Sequence, residues 1–328
     1  MKALVYTDTM KTEFREEANP QALEGEVIVD LTHCGICGSD MHAWHGHDAR
    51  RVPPLILGHE AVGIPRSGKF KGKRVAINPL MTCGTCLSCT SGSEHLCEKR
   101  ELIGMRVPGA FAQAVAIKEE NIFAIPDHLS FDQAALAEPL AVCVHSVHIG
   151  MERLKKSANE ASAIILGGGA IGLLCALVLQ NQGITNLWIG ETNPLRREML
   201  AKVLKAKPYD PINEKPGIEH ADLILDCVGS GHTRKAASEL ALPGGTIVHV
   251  GLQDSNEGLD TRRITLQEIA FIGTYCYTNI NFQEALDLLA DGKVTRDGWS
   301  EIRPLEEGIQ GFEEIHNGTA PPKIILKI

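Results

Sequence analysis

The chain has 328 residues, with 32 Lys and Arg set against 41 Asp and Glu, for a net charge of −9. An acid excess of this size excludes nucleic acid and anionic membrane as main partners, because both would repel it. The length allows two domains with separate cores, and 32 glycines with few aromatic residues suit an α/β protein rich in tight turns.

At the N-terminus, MKALVYTD turns polar within a few residues and reads as a strand, not a signal peptide. Up to about residue 130 the runs MKALVY, GEVIVDLTH, KRVAINPL, AFAQAVAI and NIFAIP are separated by Gly, Pro and charge, with no helical period of any length. The expectation is a partly open barrel or sandwich whose loops carry the chemistry.

Two of those loops hold metal-ligand types. The stretch GICGSDMHAWHGHDARRVPPLILGHE combines the thiolate Cys37, the imidazole His59 and the carboxylate Glu60. A thiolate, an imidazole and a carboxylate or water make a zinc shell with one position open for substrate. Ser39 and His42 are the residue types that carry a proton from that position to solvent. Cys37 is expected on a turn and the His59–Glu60 pair at a strand end. Cys34 is a rival ligand that better suits packing within the strand. His45 and His47 flank Trp44 without an assigned role. Further on, Cys83, Cys86, Cys89 and Cys97 follow the spacing CxxCxxCx7C, four thiolates on one loop that fill a tetrahedral and therefore structural zinc site. In an intracellular, cytoplasmic chain such clusters read as ligands rather than disulfides.

Ser130 opens a helical texture. Ser130 and Gln133 have capping-box spacing, Pro139 is expected to break or kink the helix, and Gly150 to end its second part. Glu138 then falls at an interruption, where a carboxylate faces a cleft. From Ser162 onward SAIIL, NLWIG, DLILDCVG, TIVHVG and IAFIGTY alternate with helices at 170–182, 194–205 and 232–240, the pattern of a parallel sheet covered on both faces. Residues 163–180 are uncharged and long enough to suggest a membrane span, but three consecutive glycines divide them into a strand and a helix.

Those glycines belong to GGGAIG, in which Gly167, Gly169 and Gly172 form GxGxxG between a strand and a helix, with Glu191 at the end of the next strand. That context defines a dinucleotide site. Gly167 permits the turn, Gly169 lets a pyrophosphate approach the backbone, and Gly172 allows close helix–strand packing. Glu191 accepting ribose hydroxyls favours NAD over NADP, while Arg196 and Arg197 are candidates to accommodate a 2′-phosphate. After Tyr275 the helix NFQEALDLLADG and the strand KIILKI are too short to fold alone and are expected to rejoin the first domain.

Together these residues resemble the zinc-containing medium-chain dehydrogenase/reductase family, within the alcohol dehydrogenase superfamily, over essentially the whole chain. GICGSDMH and GHE resemble its catalytic-zinc signature, the four-cysteine loop its structural-zinc lobe, and GGGAIG with Glu191 its NAD site. The resemblance implies a GroES-like partly open β-barrel at residues 1–139 and 277–328, and a Rossmann doubly wound parallel sheet at 140–276. Cys37 and His59 would ligate the catalytic zinc, with Glu60 as a ligand or beside the ligands, and Ser39 and His42 would form a proton relay. In AEPLAVCVHSV, Glu138 stands where liver-type alcohol dehydrogenases place a cysteine ligand, which is similar to the polyol and sugar-acid branch. The chain departs from that branch at Ala43 and Cys276, and it shortens the connection after GHEAVG, with Lys73 in place of the usual Asp.

The resemblance therefore implies a zinc- and NAD-dependent oxidation of a secondary alcohol, in a polyol, sugar alcohol or sugar acid, to a ketone. The alternative within the family is a threonine-type or other hydroxy- or amino-acid dehydrogenase, with Arg106, Arg50 or Arg51 anchoring the carboxylate. A reading of another class is an NAD-binding zinc protein without catalysis, against which the Ser39–His42 relay speaks. A homo-oligomer, dimer or tetramer, is the expected assembly by analogy, with no nucleic-acid or membrane partner.

Overall fold

The alternating run GEVIVDLTHCG forms the strand Glu26–Gly35, in which Val27, Val29 and Leu31 are buried along one face. It is the axis of the first of two units. The computed structural model describes residues 1–254 and 256–328. One unit comprises Met1–Ala141, Thr278–Arg296 and Ser300–Ile328, and the other Val142–Tyr277 with Asp297–Trp299.

In the first unit the axial strand pairs antiparallel with Glu60–Pro65, Ala114–Lys118 and Lys323–Lys327. The C-terminal register sets Leu326 opposite Cys34 and Ile325 opposite Gly35. These strands belong to a seven-stranded sheet, beside which Lys2–Asp8 pairs with Lys11–Glu16 and Leu55–Ile56. The short connection after Glu60–Pro65 still returns as a strand, Val75–Ile77, with Val62 opposite Ala76. Leu4, Val29, Ile77, Phe111, Ile117 and Phe312 fill the core.

Four local expectations are corrected. The first unit contains the helix Gly38–Trp44, too short to leave a periodic signature, so Cys37 is a helix N-cap rather than a turn residue. Ser130 is an N-cap without a side-chain capping bond. Gln133, its expected partner, instead donates to the carbonyl of Val294 and accepts from the backbone N–H of Arg296. Pro139 does not break the helix. The interruption lies one turn earlier, between Phe131–Ala134 and Ala137–Met151, and Pro139 occupies the first turn of the second helix, where no N–H is needed. Glu138 is thus a buried first-turn carboxylate, and Gly150 lies inside the helix.

The second unit is a six-stranded, wholly parallel sheet. Across it run Lys207–Tyr209, Asn186–Gly190, Ser162–Leu166, Ala221–Asp226, Ala241–His249 and Ala270–Gly273. In chain order this is the doubly wound Rossmann arrangement, which reverses direction beside Ser162–Leu166. The edge strand Lys207–Tyr209 was not expected from its sequence, because three residues with a central proline carry no strand signal. The apolar stretch 163–180 resolves into Ser162–Leu166 and the buried helix Ala170–Asn181. No helix among the described residues is long and apolar enough to cross a membrane.

The first-unit core converges on Phe312, which meets Phe111 edge-on at 6.1 Å and Trp44 at 6.0 Å between ring centres. Phe312→Ala is expected to lower unfolding free energy by about 3–5 kcal/mol, read as a shifted urea midpoint. An unchanged midpoint would show that this ring does not hold the core together.

Candidate active site

The helix Gly38–Trp44 is fixed by a reciprocal cap. The Cys37 sulfur accepts from the backbone N–H of Ser39 at 3.5 Å, and Asp40 accepts from the backbone N–H of Cys37 at 3.0 Å. The fully buried Asp40 carboxylate also accepts from Gly58 N–H at 3.3 Å and stands 3.5 Å from Nδ1 of His59. That last contact is an electrostatic one rather than an aligned hydrogen bond. A carboxylate behind an imidazole is the usual way to orient a metal-binding histidine, and it leaves Nε2 for the metal. Burial by itself would favour neutral His59, but Asp40 and the Cys37 sulfur outweigh it and hold its pKa well above the ordinary value. Asp40 is likewise held below its ordinary value, because His59 and Arg51 offset its burial.

Glu60 begins the strand Glu60–Pro65 and is fully buried. The ligand atoms of Cys37, His59 and Glu60 lie within 4.8 Å of one another, a donor set of one sulfur, one nitrogen and one oxygen that suits zinc. Glu138 is not part of that converging group. Both oxygens of Glu60 accept from Nζ of Lys323 at 2.7 Å, and Nζ also donates to the carbonyl of Ile36 at 2.9 Å. Burial opposes the charge on Lys323, yet Glu60, then Cys37, keep its pKa above the ordinary lysine value, with Glu138 adding to the effect. Gly35 makes this possible, since a Cβ there would lie 1.9 Å from the Glu60 carboxylate. Cys34 is fully buried with its thiol pKa pushed well up by burial, so it packs in the strand and is no thiolate ligand.

Ser39 and His42 are three residues apart on one face of the Gly38–Trp44 helix. The Ser39 hydroxyl lies 3.5 Å from Nε2 of His59 and accepts from Nη2 of Arg51 at 3.3 Å. Arg51 is buried, donates through Nε to the carbonyl of Gly104 at 2.9 Å and pairs with Asp48. Burial, then His47 and Arg51, press His42 towards its neutral form. The other candidate anchors lie at the surface, Arg50 on Asp48 and Arg106 on Glu101.

The four-cysteine loop meets the dimensions of a zinc site. Its sulfurs lie within 4.8 Å of one another, with Cys83 to Cys89 at 3.9 Å and Cys86 to Cys89 at 3.5 Å. Sulfurs about 2.3 Å from a tetrahedral zinc stand about 3.8 Å apart. Backbone N–H groups of Thr85 and Cys86 lower the Cys83 thiol to about 5. The N–H of Cys89 favours the Cys86 thiolate too, but the neighbouring sulfurs and burial push Cys86 up to about 11. A cation among the sulfurs would offset the crowding that opposes the Cys86 thiolate.

In the second unit, Gly167 has φ +96° and its N–H bonds to the carbonyl of Gly190 at 2.8 Å. A Cβ at Gly172 would lie 1.8 Å from the Gly167 carbonyl, so only glycine permits this helix–turn approach, whereas one at Gly169, the helix N-cap, would meet nothing within 4 Å. The open face at Gly169 fits a pyrophosphate laid on backbone N–H groups. Glu191 accepts from Gly168 N–H at 2.8 Å and from Asn193 N–H at 2.7 Å, which fixes it beside the turn. Arg197 is tied to the carbonyls of Glu191 and Thr192 and to Asp210, while Nε of Arg196 is buried without a hydrogen-bond partner.

Residues 23–127 match the alcohol dehydrogenase GroES-like domain, and residues 170–291 match the zinc-binding dehydrogenase family. The chain is 32% identical over 324 residues to the 2-dehydro-3-deoxy-L-galactonate 5-dehydrogenase of Pseudoalteromonas atlantica, covering 94% of this chain and 92% of the relative. The chain belongs to the zinc-containing medium-chain dehydrogenase/reductase family. Another member, the sorbitol dehydrogenase of Bacillus subtilis, is 31% identical, with coverage of 90% and 87%. A structure assigned as a zinc-binding dehydrogenase from Sinorhizobium meliloti 1021, bound to NADP, superposes with a TM-score of 0.86 at 27% identity, covering 100% of this chain and 99% of that one. As a member of this family the protein is an alcohol/polyol-type oxidoreductase that works with zinc and a nicotinamide cofactor.

Asp40, Lys323 and Arg51 are the residues of this site to which the sequence reading gave no such role. Asp40 alone left a signal, the three-residue capping-box spacing from Cys37. Lys323→Met leaves the Glu60 charge buried and unpaired, and is expected to cost about 3–5 kcal/mol in urea unfolding. Adding Glu60→Gln to that variant is expected to restore part of the loss. No recovery in the double variant would mean that Lys323 stabilises the fold through packing alone.

Proposed function

We propose that this dehydrogenase oxidises a secondary alcohol of a polyol, sugar alcohol or sugar acid to a ketone, with NAD as hydride acceptor. Cys37 and His59 would hold the catalytic zinc, with Glu60 or Glu138 completing its shell, and Cys83, Cys86, Cys89 and Cys97 would hold a structural zinc. The observation that carries the reading is the convergence of Cys37, His59 and Glu60 beside the Ser39 hydroxyl. The sugar-acid and sorbitol relatives support the substrate class.

When bound, the catalytic zinc supplies Lewis-acid polarisation of the alcohol oxygen. Asp40 holds the His59 ring in place. A guanidinium only donates hydrogen bonds, so Arg51 occupies one lone pair of Ser39 and leaves its proton and second lone pair for exchange with the substrate hydroxyl. His42, on the same helix face and pressed towards neutrality, accepts the proton onward. A nicotinamide dinucleotide held at the glycine turn beside Glu191 would supply the hydride acceptor. The threonine-type alternative loses support, because Arg50, Arg51 and Arg106 each already answer a carboxylate of the chain.

Glu191, beside the glycine turn, supports NAD over NADP, with Gly167, Gly169, Gly172 and Arg196 as the other cofactor contacts. The half-buried Ala270, Phe271 and Ile272 of the edge strand support self-association of the cofactor unit, as a dimer or tetramer. The ten free cysteines accord with a cytoplasmic setting.

The test is reduced-nicotinamide absorbance with polyols, sugar acids, threonine and simple alcohols, with and without o-phenanthroline. One polyol or sugar acid is expected to give chelator-sensitive NAD reduction, and Cys37→Ser to abolish it. Activity of Cys37→Ser near that of the unaltered enzyme would sink the assignment. Glu191→Ala is expected to move the ratio of NAD to NADP efficiency by about tenfold or more towards NADP, roughly 1.4 kcal/mol or more. An unmoved ratio would take the cofactor choice away from Glu191.

A further inference from the structure

His45 and His47 of HAWHGH take no part in the reaction described above. His45 caps the C-terminus of the helix Gly38–Trp44, and His316 is the last residue of the helix Gly308–His316. Their facing nitrogens, Nε2 of His45 and Nδ1 of His316, are 3.0 Å apart. Both rings pack against Trp44, at 5.2 Å and 5.6 Å between centres, which fixes their orientation. The exposed His47 brings a third imidazole, with its ring centre 5.6 Å from that of His45.

Two imidazole nitrogens about 2.0–2.1 Å from one metal ion stand about 2.9 Å apart at a right angle and about 3.3 Å apart in a tetrahedron. The observed separation falls within this span without any movement of the rings. Two helix C-termini meet here, and each adds partial negative charge that favours a cation. Burial, followed by His316 and the other nearby imidazoles, lowers the pKa of His45, the direction that favours the ligating form. One of the two facing nitrogens carries the N–H of this contact, and for both lone pairs to meet a metal that proton moves to the other nitrogen of the same ring.

We propose that His45 and His316, joined by His47 after a side-chain rotation, form a further transition-metal site for Ni2+, Cu2+ or Zn2+, distinct from the Cys37 site and the four-cysteine loop. Imidazole donors suit these late first-row ions. An ion there ties the helix that carries Ser39 and His42 to the helix Gly308–His316.

The test is calorimetric titration of the untagged, zinc-loaded enzyme with Ni2+ at neutral pH, with its zinc content measured before and after. About one further equivalent of Ni2+ is expected, with zinc retained and the thermal midpoint raised. His45→Ala and His316→Ala, both outside the catalytic machinery, are each expected to weaken that binding at least tenfold and remove the thermal shift. His232→Ala, at an exposed histidine of the other unit, is expected to leave both intact. No uptake by the unaltered enzyme, uptake that survives in His316→Ala, or uptake matched by released zinc would each overturn the site.

Discussion

Charge buried in the first unit has to be balanced within a few ångströms, and this constraint shapes the site. Asp40 and Glu60 are fully buried, and an uncompensated carboxylate at such a position is too costly to persist. Asp40 is answered by two backbone N–H groups and the His59 ring, and Glu60 by Lys323. The partners come from distant parts of the sequence: the Gly38–Trp44 helix, the chain before Glu60–Pro65, and the last strand. Only when Lys323–Lys327 pairs with Glu26–Gly35 does the ammonium reach Glu60. The fold therefore assembles the site, and the site in turn demands the fold.

The same balance explains why a metal suits this place. Cys37 and Glu60 bring a sulfur and a carboxylate, which bind a metal as anions, and His59 stands among them with Asp40 behind it. A divalent cation would supply positive charge beside that of Lys323. The four-cysteine loop poses the problem in a simpler form. Local backbone N–H groups stabilise one thiolate, at Cys83, while sulfur crowding resists the next, at Cys86, which is the charge balance a cation would supply.

The second unit works by backbone geometry instead of buried charge. Gly172 and Gly167 bring a helix start within contact of a strand end, and Gly169 leaves its face open. Glu191 is locked to this turn through Gly168, so the carboxylate proposed to read the ribose is fixed to the turn proposed to carry the phosphates. Arg196 lies near this turn with its Nε buried and unbonded.

Much of this was legible in the chain, because the informative signals were local. The thiolate spacing from Cys83 to Cys97, the glycine turn followed by Glu191, and the apolar parallel strands each declare themselves within a few dozen residues. The helix Gly38–Trp44 was missed because seven residues are too few for a period, and the Ser130 cap failed because Gln133 found partners about 160 residues away. The sequence by itself determined the ligand chemistry, the nucleotide turn and the class of fold, all of which depend on neighbouring residue types. Only the tertiary structure decided that Asp40 backs His59, that Lys323 neutralises Glu60, that Arg51 serves Ser39 rather than standing free, and that His45 meets His316. Those pairings join residues up to 271 positions apart, and no local pattern encodes which distant charge a strand register will deliver.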